Sequence, residues 1–312
     1  MPARSLIAIV GPTASGKSEL AVFLAKKYDG EIISADSRQV YRDLAIGTNK
    51  ISGQWQKRDG MEKTTFTYKN IPHYCIDFID PKETYTVAEF KNCADKAIKD
   101  ILSRDKTPFL VGGTGLYIDA VVYGIVPPKV PPNKKLREDL SEKTTKELFA
   151  LLQKCDPARA DAIDPDNPRR LIRAIEITTA LGSVPLIKKD PQYNTLMLGI
   201  KRTEEETKKR ITHMVHDMLE NGLINEVQSL IKNGIPKERI RELGFEYSYA
   251  LEYLKAPENE VFGSLQELEH VLIQKNWQYA KRQMTWFKRD KNIRWISSQE
   301  EAEDLIQVFL AY

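Results

Sequence analysis

Leu6–Ser18 reads LIAIVGPTASGKS, and this stretch decides the fold. Leu6–Val10 is a continuous apolar run that ends in glycine, the pattern of a central parallel strand buried on both faces. Gly11–Ser18, GPTASGKS, then matches GxxxxGK[ST] between that strand and a helix that begins near Lys17, with Leu20, Phe23 and Leu24 at helical spacing. In such a loop Gly11, Pro12, Thr13, Ala14, Ser15 and Gly16 wrap the phosphates, and the backbone N–H groups of all but Pro12, which has none, curl around the oxygens. The helix N-terminus adds partial positive charge, Lys17 reaches the outer phosphate, and the Ser18 hydroxyl suits Mg²⁺. The motif specifies a polyphosphate, not ATP.

Further strands follow at Glu31–Ala35, Pro108–Val111, Thr195–Ile200 and Asn292–Ile296, alternating with helical segments. That alternation predicts an α/β parallel sheet with ligands at the C-terminal strand ends. The second strand delivers Asp36-Ser37-Arg38-Gln39 to the same rim as the loop. Asp36 there suits a metal ligand, a base, or a cap on the next turn, and the Gln39 amide suits an adenine edge. The third strand runs into Gly112-Gly113-Thr114-Gly115, either a tight turn or a place where backbone and the Thr114 hydroxyl meet a ligand.

Composition sets broad limits. The chain has 312 residues, 41% apolar and 29% charged, with a net charge of only +3. A nucleic-acid partner must therefore be argued from where the charge sits. Cys75, Cys93 and Cys155 show no CxxC spacing, which predicts reduced thiols and neither disulfide nor zinc site. The N-terminal apolar run is too short for a signal peptide or a membrane span, so a cytoplasmic protein is expected.

Two charged tracts stand out. Asn167–Arg173, NPRRLIR, gathers Arg169, Arg170 and Arg173 on one helix. Either acidic partners within the chain or RNA phosphates answer them. From Lys275 to Arg294, seven Lys/Arg face one acid, with Trp277, Tyr279, Trp286 and Phe287 interleaved. This suits splayed RNA bases, or an amphipathic helix whose aromatics are core. His213 and His216, three apart on a helix, lack an evident third metal ligand and read as solvated. Pro127–Pro132 leads into a polar helical lobe, and Ser52–Asn70 reads as a loop or small insertion.

GPTASGKS, ADSRQVY (Ala35–Tyr41) with Gly47-Thr48, VGGTGLY (Val111–Tyr117), NPRRLIRAIE (Asn167–Glu176) and QYAKRQMTWFKR (Gln278–Arg289) occur in this order over nearly the whole chain. In these motifs the chain resembles the bacterial tRNA dimethylallyltransferases, or tRNA isopentenyltransferases. The resemblance implies a P-loop NTPase-like α/β fold: a parallel sheet flanked by helices, with a smaller helical lobe and a helical C-terminal region. Residues 1–126 and about 166–312 would form the core and tRNA-binding part, and about 127–165 the inserted lobe. It implies transfer of a dimethylallyl group from dimethylallyl diphosphate to N6 of the adenosine 3′ of the anticodon. Asp36 would be the base, Thr13 a donor to the diphosphate, Arg210 a second cationic clamp, and Mg²⁺ at Ser18 the cofactor. Contacts to the tRNA anticodon stem-loop would come from Asp36, Ser37, Arg38, Gln39, Thr114, Arg137, Arg169, Arg170, Leu171, Ile172, Arg173, Lys281, Arg282 and Gln283. A monomer with no membrane partner is expected.

The chain departs from the family pattern at Ser52–Asn70, which is longer, and at Gly244-Phe245-Glu246-Tyr247, where an arginine is usual. Arg169 stands where Gln is common, and no zinc finger follows the basic tract. A small-molecule kinase, or an adenylate isopentenyltransferase acting on AMP or ATP, shares the loop but gives the basic tract no purpose. A non-catalytic RNA-binding protein would not need Lys17, Ser18 and Asp36.

Overall fold

β1 (Ser5–Val10) is buried at all six positions, because strands pair with it on both sides and helices cover both of its faces. The computed structural model describes residues 5–57, 64–186, 188–255 and 263–311. Among these, the other strands are β2 (Gly30–Ser34), β3 (Gln54–Lys57), β4 (Thr64–Tyr68), β5 (Ile71–Tyr74), β6 (Thr107–Gly112), β7 (Asn194–Ile200) and β8 (Ile293–Ile296). They form one sheet in the order β3-β4-β5-β2-β6-β1-β7-β8. The pairings from β5 to β8 are parallel, and β3–β4 and β4–β5 are antiparallel. The sheet is thus the mostly parallel one expected, in the P-loop NTPase-like fold.

On one face α1 (Lys17–Lys27) and α13 (Gln299–Ala311) pack against Ile7, Ile9 and Leu198. On the other, α2 (Val87–Ser103) and α3 (Gly115–Val122) pack against Leu6, Ala8 and Leu110. The start of α2 is fixed by a capping box between Thr86 and Glu89. A separate helical cluster joins α8 (Glu204–Glu220), α9 (Leu223–Lys232), α10 (Lys237–Leu243), α11 (Phe245–Leu254) and α12 (Leu265–Phe287) around Val40, Tyr41 and Leu44. These elements belong to one compact unit made of residues 1–124 and 190–312.

The second unit, residues 125–189, holds α4 (Lys134–Ser141), α5 (Thr145–Cys155), α6 (Pro157–Asp161) and α7 (Pro168–Leu181). Its C-terminal boundary lies well beyond the position near 165 read from the sequence. The reason is packing: Leu171, Ala174 and Ile175 of α7 share a core with Leu140, Leu148 and Leu152. The NPRRLIR helix therefore belongs to the lobe.

Two further readings are corrected. Where described, the Ser52–Asn70 stretch is a β3–β4 hairpin that extends the sheet edge; residues 58–63 lie outside the described residues. Every position of β3 is exposed, so no apolar alternation marked it. Cys75 and Cys93 are bonded as a disulfide, with Cα atoms 6.1 Å apart, because the end of β5 passes over α2. Cys155 is free and exposed. Among the described residues no helix is long and apolar enough to cross a membrane.

Candidate active site

β1, β6 and β2 are neighbours in the sheet, so the segments that leave their C-terminal ends share one rim. β1 delivers the phosphate loop, β6 the Gly112–Gly115 turn, and β2 the Asp36–Gln39 segment. Gly16 is the N-cap of α1 and offers no side-chain acceptor, which leaves the first helical N–H groups directed toward an anion. Lys17 Nζ donates to Pro12 O at 3.1 Å. Burial lowers the Lys17 pKa, and the negative charge of Asp36 opposes that shift.

Asp36 Oδ1 accepts the N–H groups of Arg38 (2.8 Å) and Gln39 (3.3 Å). One oxygen thus caps the following turn and the other takes no part in it, so the cap and the base are compatible roles. Thr114 ties this segment to the β6 turn: its hydroxyl accepts from Ser37 N–H at 3.1 Å, and its own N–H donates to Ala35 O at 3.3 Å. Arg38 is exposed. The Gln39 amide faces inward: Nε2 donates to Thr48 O and Asn49 O, both at 3.2 Å, and Oε1 accepts from Ser34 Oγ at 3.4 Å. It is therefore engaged within the chain, not turned out toward an adenine edge.

Arg210, expected as a clamp on the diphosphate, sits beside the phosphate loop, with Nε donating to Ala14 O at 2.6 Å. Arg202, which the sequence reading passed over, donates Nε to Ser15 O at 3.4 Å. Both guanidiniums flank Gly16, with Nη2 atoms 3.3 and 3.8 Å from the point where a Cβ would sit. The available signal was position: Arg202 follows the end of β7, a neighbour of β1. Thr13 donates its N–H to Gln283 Oε1 at 2.8 Å and its hydroxyl to Met214 Sδ at 3.6 Å. A cavity of about 640 Å³ adjoins the loop, lined by Ala14, Ile46, Met214 and Met218 and by the polar Glu19, Lys50, Arg210, His213 and Asp217.

The basic helix α12 divides its aromatics between two roles. Trp286 packs against the core, its Nε1 donating to Asp119 at 3.0 Å, and Phe287 is fully buried. Trp277 instead carries Lys208 and Lys281 over its ring at 5.0 and 5.1 Å, and Tyr279 carries Arg282 at 5.7 Å. Lys281 and Arg282 are exposed, while Gln283, expected beside them as an RNA contact, is buried. In the lobe, Arg137 and Arg173 both pair with buried Glu176, Arg137 at 2.8 Å. Arg173 also donates to Val130 O at 2.9 Å. Leu171 is core and Ile172 packs against it, so Arg169 and Arg170 are the exposed members of that run.

In the sequence Glu246 stands out only as part of the departure from the family pattern. It lies in the field of Asp36 and Arg38 and bonds the Asn276 side chain. Its neighbour Phe245 meets Tyr279 edge-on at 6.1 Å.

For Mg²⁺, the hydroxyl of Ser18, the buried unpartnered hydroxyl of Ser15 and the Asp36 carboxylate are hard oxygen donors of the right kind. Among the described residues no group of three or more His, Cys, Asp or Glu could hold a metal by itself. His213 and His216 pair with Asp217, Glu220 and Glu269 on the surface.

The sequence profile of the family described as IPP transferase matches residues 39–290. The chain belongs to that family. A second profile, Isopentenyl transferase, matches residues 4–68 and so takes in the phosphate loop. This IPP transferase is 38% identical over 310 residues to the tRNA dimethylallyltransferase of Acetivibrio thermocellus, with 96% of this chain and 94% of that one covered. It is similar to the crystal structure of the tRNA isopentenylpyrophosphate transferase of Bacillus halodurans, with TM-score 0.67 and 35% identity, covering 99% and 96% of the two chains. A eukaryotic dimethylallyltransferase acting on tRNA matches with TM-score 0.75 and 28% identity, over 95% of this chain and 74% of that one. As an IPP transferase, the chain shares the P-loop NTPase-like fold of these structures.

Proposed function

We propose that this chain transfers the dimethylallyl group of dimethylallyl diphosphate to N6 of the adenosine 3′ of the anticodon in tRNA. The observation that carries this reading is the convergence, on three adjacent strand ends, of an arginine-flanked phosphate loop with Asp36 held on a fixed turn. A kinase explains the loop alone. The exposed Lys281 and Arg282, on the helix that also carries Gln283, give the RNA a place on the same unit.

The loop N–H groups, Lys17, Arg202 and Arg210 hold the diphosphate and favour the negative charge that builds on it as the C–O bond breaks. Bound Mg²⁺, with Ser18 as a ligand, would neutralise part of that charge. The apolar wall of Ala14, Ile46, Met214 and Met218 suits the isoprenoid tail. Asp36 takes the N6 proton as the new C–N bond forms, and diphosphate leaves. The base must leave its stack to reach Asp36. Every group named lies on one chain, so a monomer suffices, and a tRNA substrate makes the cytoplasm its place of action.

The test is to supply Mg²⁺ and labelled dimethylallyl diphosphate with either unmodified tRNA or AMP. Label in tRNA supports the reading, and label in AMP alone replaces it with an adenylate isopentenyltransferase. Label in neither sinks prenyl transfer, and phosphoryl transfer from ATP would then favour the kinase.

A further inference from the structure

One side chain joins the phosphate loop to the β6 turn. Gln283 is 6% exposed; its Oε1 accepts Thr13 N–H at 2.8 Å and its Nε2 donates to Gly113 O at 2.9 Å. The partners fix which way the carboxamide points, since a backbone N–H only donates and a carbonyl only accepts. A Cβ on residue 113 would lie 2.3 Å from Nε2, so the amide can enter only because that residue is glycine.

This bond changes which donors the loop presents. The N–H groups nearest the start of α1 serve the phosphate at the helix N-terminus, and Thr13 lies toward the strand, at the outer end of the cradle. A third phosphate would extend to that outer end and would need its donor. There it meets the Gln283 oxygen, an acceptor already bonded to the N–H, which repels an anionic oxygen. Thr13 therefore withholds its amide from the site.

We propose that Gln283 is a specificity-determining residue of the phosphate loop: by closing the outermost amide it makes the cradle accept a diphosphate and reject a triphosphate chain. The inference rests on the diphosphate reading above. It also explains why a basic helix otherwise suited to RNA carries a buried glutamine next to two exposed cations.

The test is calorimetric titration of the full chain, in Mg²⁺, with inorganic pyrophosphate and with tripolyphosphate. Wild type should bind pyrophosphate more tightly. In Gln283→Ala the preference should fall about tenfold, the scale of one hydrogen bond to a charged group. Gln283→Glu keeps an acceptor on Thr13 and should keep the preference while binding both ligands more weakly, and it serves if the alanine variant fails to fold. tRNA affinity and the unfolding midpoint report an intact fold. An unmoved preference in folded Gln283→Ala, or a vanished preference in folded Gln283→Glu, overturns the inference and leaves the diphosphate reading standing. Wild type that binds neither ligand sinks the diphosphate reading itself.

Discussion

Tyr247 donates its phenolic hydroxyl to Glu226 Oε1 at 2.7 Å, and the same carboxylate accepts the N–H groups of Ala45 (2.9 Å), Ile46 (2.8 Å) and Gly47 (3.0 Å). The ring presses so closely on Gly47 that a Cβ there would fall 2.7 Å from it. Glu226 thereby fixes the loop whose next carbonyls, at Thr48 and Asn49, hold the Gln39 amide. Glu226→Gln sets an NH₂ group against N–H donors. It should cost about 1–3 kcal/mol in denaturant unfolding. Turnover should drop by roughly 10- to 100-fold through displacement of the Asp36 segment. Wild-type turnover in this variant would show that the latch does not reach the base.

Asp36→Asn keeps the oxygen that caps Arg38 and Gln39 N–H and removes the basic one. tRNA affinity should stay near wild type while turnover falls about 10²-fold or more, the scale of lost general-base catalysis. Single-turnover transfer at saturating tRNA measures this directly.

Burial pushes the Glu246 carboxyl up to about 7, Arg38 pulls it down, and Asp36 pushes it further up. Stability from the neutral carboxyl is full below its ordinary 4.5 and is lost as pH rises through about 7. Above that point the site holds a second anion, so affinity for anionic tRNA should weaken as pH rises through about 7. Glu246→Gln should abolish that step in a binding-versus-pH series; persistence of the step would assign it to another group.

Burial alone would raise the Glu176 pKa, but hydrogen bonds from Arg137, Asn133 N–H and Arg173 outweigh it and hold the carboxyl at about 2. This group adds stability to the lobe above pH 4.5, lost as pH falls from there toward 2. Denaturant unfolding above and below pH 4.5 should show a loss on the acid side that Glu176→Gln diminishes.

Replacing Lys281 or Arg282 with alanine should weaken tRNA binding and reduce its salt slope by about one unit for each phosphate left without its cation. An unchanged slope would make the pair structural.

Backbone logic was legible in the sequence where the motif carried its own context. GPTASGKS between an apolar run and a helical pattern led to β1 and α1, and the parallel rim followed from the order of strand and helix patterns. Side-chain direction was not legible. Gln39 and Gln283 sit inside motifs suited to nucleic acid, yet both amides turn inward, and nothing in residue spacing says which way a carboxamide faces. Arg137 resembled a phosphate ligand because its partner, Glu176, becomes near only through lobe packing, whereas Arg173 meets Glu176 three residues on along its own helix. β3 escaped because an exposed edge strand has no buried face to impose alternation, and the Cys75–Cys93 bond because it depends on how β5 crosses α2.

Helix α12 enters two separate cores, with Leu268, Leu272 and Ala280 in one and Phe287 in the other, and between them it touches the phosphate loop through Gln283. The arm that carries the exposed cations is thus no detachable module. Its amides and those of the loop should exchange with deuterium as one cooperative unit, opening together or not at all. A truncated chain lacking the helix would lose the cradle along with the RNA grip.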